Sequence, residues 1–154
     1  MNTPEITQEE QDRFQDIFSH LAEKTGATLI LLVDKSGYLL FQQGETEWDA
    51  TTLGTLAGNA FNATAALSKL AGDSGCETFF QSGKDFSLLT CNINESLVLV
   101  VVFASDIPVT QVEWQCRPAV MEAALQMGLA EARPQLGIFN EGDGVLADLK
   151  DFKF

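Results

Sequence analysis

Apolar residues in this chain change rhythm several times, and each change marks an element. Phe14, Ile17, Phe18 and Leu21 recur at three- and four-residue steps, one face of a helix. Thr7, with Glu10 three residues on, makes a capping box at its start, and Lys24-Thr25-Gly26 is a glycine stop. Two short apolar runs, 29–33 and 38–42, flank Asp34-Lys35-Ser36-Gly37, which reads as a hairpin whose glycine supplies the positive φ of a tight turn. After a loop at 44–48, Asp49 is a good N-cap for a second helix over 49–70, closed by Gly72 to Gly75. Strands follow at 76–81, 86–92 and 97–103, joined by connections short enough to favour antiparallel neighbours.

The composition of each strand predicts its place in the sheet. Residues 97–103 are apolar on both faces and 29–33 nearly so, so both need cover from each side. Strands 38–43 and 76–81 read as half-buried and nearer the edges. The sheet is therefore expected to carry helices on both faces. A last helix is expected over 109–132, with Trp114, Pro118, Met121, Leu125 and Leu129 as its buried stripe. Pro118 either kinks it or stands in its first turn, and the pattern leaves both open. Arg133-Pro134 is expected to end a domain of residues 1–132. Residues 133–154 then form an acidic, glycine-bearing tail in which Val145, Leu149 and Phe152 share one face of a short helix. That segment is either a partner-binding helix or a solubilising tail.

The second helix carries the strongest functional signal. Leu53, Leu56, Ala57, Ala60, Thr64 and Leu67 form a stripe expected to face the core. Gly54, Gly58, Phe61 and Ala65 form a second stripe, and Thr55, Asn59, Asn62 and Ala66 line a third side without charges. Interior glycines each cost about 1 kcal/mol relative to alanine. The expectation is that they admit another backbone, placing a partner on this helix.

Composition narrows the partner. The chain has 154 residues, with nine basic against 22 acidic side chains and a net charge of −13. This field disfavours nucleic acid and anionic membranes and suits a neutral or basic protein. Cys76, Cys91 and Cys116 lack disulfide or zinc spacing and read as reduced core residues. With a polar N-terminus and no long apolar run, the expectation is a cytoplasmic protein without membrane insertion. His20 is the only histidine and reads as a surface residue. No phosphate-binding glycine loop occurs, and carboxylate pairs fall on solvated faces. Of Arg13, Arg117 and Arg133, the last is placed at a helix end, where it reads best as a dipole partner. No catalytic residue, cofactor or metal is expected, and hence no enzyme.

The order helix, hairpin, helix, three-stranded meander, helix resembles the Roadblock/LC7 family. Local likenesses lie in LVDKSGYLL at 32–40, DATTLGTLAGNAFNATAALSKL at 49–70 and LVLVVVF at 97–103. Within that family the chain is most similar to the bacterial MglB-type branch, which regulates a Ras-like GTPase in cell polarity and gliding motility. The resemblance implies an α/β (α+β) three-layer sandwich, a five-stranded antiparallel sheet covered on both faces, in the order α-β-β-α-β-β-β-α. It implies a homodimer in which second helices pair through Gly54, Gly58, Phe61 and Ala65. Strands 76–81 would join at Thr78 and Phe80. It also implies an MglA-like GTPase bound by Asn59, Asn62 and Ala66, with Val145, Leu149 and Phe152 as a second contact, and no inserted arginine. The alternatives are a scaffold that binds a GTPase without activating it, or a small-molecule sensor with a cavity lined by Phe79, Phe86 and Leu88.

Overall fold

The computed structural model describes residues 6–139. Its elements are α1 (Gln8–Thr25), β1 (Leu29–Asp34), β2 (Leu39–Gln43), α2 (Ala50–Leu70), β3 (Thr78–Gln81), β4 (Phe86–Asn92), β5 (Leu97–Ala104) and α3 (Val109–Phe139). This is the expected order. Thr7 caps α1 as expected: its Oγ1 accepts the Glu10 N–H at 3.2 Å and donates to Glu10 Oε1 at 2.9 Å. Gly26 ends α1 in the left-handed region at φ 73°.

The strands make one antiparallel sheet in the order β2-β1-β5-β4-β3. Every residue from Leu97 to Phe103 is buried in central β5, and the side chains alternate between two cores. Leu97, Leu99, Val101 and Phe103 join Phe14, Phe18, Cys116 and Met127 beneath α1 and α3. Val98, Val100 and Val102 join Leu31, Val33, Ala57 and Phe61 beneath α2. The strands 38–43 and 76–81 take the edges as β2 and β3, as their half-polar composition requires.

The last helix departs from expectation in its end and in its buried stripe. It continues past Ala132 to Phe139, so Arg133 lies inside it rather than at its end. Of the two readings left open for Pro118, the structure places the proline inside the helix rather than in its first turn. The proline has no N–H for the Trp114 carbonyl, but both residues are exposed, and water can take the orphaned bond. Finally, its buried stripe is rotated. Val112, Cys116, Ala119, Ala123 and Met127 are buried, whereas Trp114, Met121 and Leu125 are 68%, 73% and 66% exposed. Alanines and a cysteine let α3 lie close on α1 and β4, and a ridge of large apolar side chains at the interface would hold it away.

Candidate interaction surface

The inner face of α2 is the glycine face. Gly54, Ala57, Gly58 and Phe61 are buried. A methyl group on Gly58 would lie 3.7 Å from the Asp34 carbonyl oxygen and 3.9 Å from that of Lys35, so the glycine lets the helix approach the hairpin backbone. Side chains reinforce this contact. The Thr55 hydroxyl donates to the Gly37 carbonyl at 2.8 Å, and Asn62 Nδ2 donates to the Lys35 carbonyl at 2.9 Å. Lys35 Nζ lies 5.4 Å from the Phe61 ring centroid and donates to the Asn94 carbonyl at 2.7 Å. Burial lowers the Lys35 pKa, partly offset by the Glu95 charge.

The expected division of α2 holds in part: Ala57 is buried and Leu53 packs against the core, with Ala60 and Thr64 half-buried. Gly54, Gly58 and Phe61, assigned to contact a twin helix, pack inside their own chain, with Ala65 partly buried beside them. Leu56 and Leu67, assigned to the core, are 62% and 65% exposed. The physical reason is that glycine spacing permits close helix–sheet approach, and that is worth most where a rigid sheet already waits. With the small residues turned inward, Leu56 and Leu67 turn out while Leu53 stays against the core.

The outward face is consequently apolar. Leu56, Ala63, Leu67 and Leu70 are exposed, seven, four and three residues apart, the spacing of a helix–helix seam. Asn59 and Ala66 are exposed alongside, and exposed Asn62 borders the hairpin it bonds. Lys69 is the only charged side chain in the whole of α2. A second open feature is the β3 edge. Thr78 and Phe80 are exposed there, and the Phe80 ring stacks on Phe103 with centroids 6.3 Å apart. Val145, Leu149 and Phe152 lie outside the described residues.

Arg13 pairs with Glu9 at 2.8 Å and with Gln126 at 3.2 Å, while the Arg117 guanidinium lies 5.7 Å from the Trp114 ring centroid. Among the described residues no three His, Cys, Asp or Glu side chains are grouped to hold a metal. Phe86 meets Trp48 edge to face, and Phe79 and Leu88 pack against the core under α2. No helix among the described residues is long and apolar enough to cross a membrane.

The signal missed in sequence was the apolar ridge of α3. Its period was legible, but its direction was not, because a buried stripe and a docking stripe share one spacing.

Comparison with known proteins adds to this geometry. The Roadblock/LC7 domain model matches residues 13–103. No curated protein sequence matches. Among solved structures, one described as MglB with tetrameric arrangement superposes at TM-score 0.79 with 24% identity, covering 84% of this chain and 98% of its own. Myxococcus xanthus MglB gives 0.74 with 26% identity over 82% and 96%. The gliding protein MglB of Thermus thermophilus gives 0.76 with 23% identity over 83% and 98%.

Proposed function

Because the chain belongs to the Roadblock/LC7 domain family, we propose that it acts as a homodimeric regulator of a small Ras-like GTPase and has no active site of its own. The observation that carries this reading is the outward stripe of α2. Burying one leucine is worth roughly 1.5–3 kcal/mol, and a helix with Lys69 as its only charge has little to repel a second copy. Two-fold closure would set α2 against α2, with Leu56, Ala63, Leu67 and Leu70 as the seam in place of the glycines. The β3 edges, with Thr78 and Phe80, would join beside it.

Asn59, Asn62 and Ala66 flank that seam and would supply the surface for an MglA-like GTPase. The segment with Val145, Leu149 and Phe152 would make the second contact. Arg13 and Arg117 are both engaged within the chain. The resemblance to the MglB-type branch implies that acceleration of hydrolysis would come from repositioning the GTPase's own groups rather than from an inserted arginine. The likeness to MglB structures supports a cytoplasmic role in bacterial polarity or motility.

The test is GTP hydrolysis by an MglA-like GTPase with and without this protein. Acceleration that Ala66→Arg removes, with the dimer mass unchanged, supports the reading. Binding without acceleration reduces the protein to a passive scaffold, and no binding refutes the reading.

A further inference from the structure

Two of the three cysteines meet where α3 packs on the sheet. Alternation along β4 sends Leu89 and Cys91 to the core beneath α1 and α3, and Val112, Cys116 and Ala119 face the same core from α3 at helical steps. Cys91 is 4% exposed and Cys116 1%. Their thiols are in contact. An apolar side chain at either position would fill the space without bringing two oxidisable sulfurs together. Cys76 takes no part, because it packs on the other side of the sheet with the core under α2.

The pair is buried but not sealed. Both cysteines line an open cleft of about 550 Å³, and Thr78, Asn92, Glu113 and Arg117 give it polar walls that water and solutes of its size can wet. Asn92 Oδ1 is buried and has no hydrogen-bond partner among the described residues. An acceptor so placed is satisfied by a small O–H donor, and hydrogen peroxide donates as water does. Contact with the Cys116 thiol, burial and the Glu113 charge all hold Cys91 as the neutral thiol. Oxidation is therefore slow, and the pair stays reduced until the oxidant persists.

We propose that Cys91 and Cys116 form a reversible redox latch, a disulfide that a peroxide closes between β4 and α3 and that a dithiol reopens. One sulfur attacks hydrogen peroxide: an S–O bond forms as the O–O bond breaks, and hydroxide leaves with the thiol proton as water. The second thiol then attacks that sulfur. The S–S bond forms, the S–O bond breaks and a second water leaves, two electrons having passed from the sulfurs to peroxide. Reopening returns both thiols and leaves the dithiol as its own disulfide. Closed, the latch ties α3 to β4 covalently. Open, the same contact rests on small side chains such as Ala119 and Ala123. The latch does not depend on the GTPase reading.

The test uses the full-length chain with Cys76→Ser, which leaves only the pair. The folded protein is held in hydrogen peroxide, and the excess is destroyed with catalase. The intact mass should fall by two hydrogens, and a peptide joining Cys91 to Cys116 should appear on digestion without reductant. Dithiothreitol should restore the starting mass. Closing the loop 91–116 restricts the unfolded chain, so the thermal midpoint should rise by about 5–15 °C on oxidation and return on reduction. Cys116→Ala in the same background should show neither the link nor the rise, and Cys91→Val gives the same reading if that variant fails to fold. Gain of oxygen mass without the link, a link that forms only between chains or only in denaturant, or a midpoint that falls on oxidation would overturn the proposal. So would an equal rise in the single-cysteine variant.

Discussion

Gly54 of α2 stands so close to Val33 of β1 that a methyl group on it would meet Val33 Cγ2 at 3.2 Å. One turn later Gly58 has ordinary contact room, 3.7 Å to the Asp34 carbonyl oxygen. The two glycines therefore answer differently to the same change. Gly58→Ala is expected to stabilise the fold by up to ~1 kcal/mol, the helix-propensity gain of alanine. Gly54→Ala should gain less, because Val33 must yield. Gly58→Leu should push α2 off the hairpin and destabilise by about 1–3 kcal/mol. Urea unfolding measures all three. A loss of assembly mass in a stabilised Gly58→Ala variant would return the glycines to an intermolecular seam.

Leu67 belongs to the opposite face. Being largely exposed in the single chain, it should tolerate Leu67→Asp without loss of secondary structure. If α2 pairs with α2, the same substitution buries two carboxylates at the seam, and the mass in light scattering should halve. An unchanged dimer would remove Leu67 from the seam.

Asp49 caps α2 by accepting the Thr52 hydroxyl at 2.7 Å and the Thr52 N–H at 3.1 Å. These bonds, the hydroxyl contact first, hold its carboxyl below the ordinary aspartate value of 3.8. A folded-state value below the unfolded one means the contribution is complete above the unfolded value and is lost as pH falls through the folded one. Asp49→Asn keeps an acceptor but does not titrate. Thermal midpoints of the native protein should therefore lose ground to Asp49→Asn as pH falls below about 4. Parallel curves down to strongly acidic pH would contradict the bond.

Cys91 and Cys116 are buried between β4 and α3, and Cys76 is half-buried at the entry to β3. Contact with the Cys116 thiol and burial push the Cys91 thiol up, away from its reactive thiolate form. In the native protein Cys76 should react with a thiol reagent first, and all three should react after denaturation. Fast native labelling of Cys91, located by peptide mass, would show that α3 opens from β4.

The sequence by itself determined the elements and their order, because local signals carry them. Thr7 with Glu10 and Asp49 with Thr52 form caps inside one turn of chain, and Gly26 ends α1 with a positive φ that no neighbour needs to impose. It also placed the strands. A run such as Leu97 to Phe103, apolar on both sides, can rest only at the centre of a covered sheet.

What only the tertiary structure decided is the direction in which the helices point their apolar stripes. Both α2 and α3 carry two candidate inner faces, one of large side chains and one of small ones. Periodicity cannot choose between them. The choice is made by the sheet. Against Val33 and the Asp34 carbonyl, Gly54 and Gly58 allow an approach that a leucine would block, and Ala119 and Ala123 turn inward on α3. The large residues are left outside because close packing rewards the nearest fit rather than the most hydrophobic face. Leu56, Leu67, Met121 and Leu125 are therefore surface residues, and the surfaces they form are where partners are to be sought.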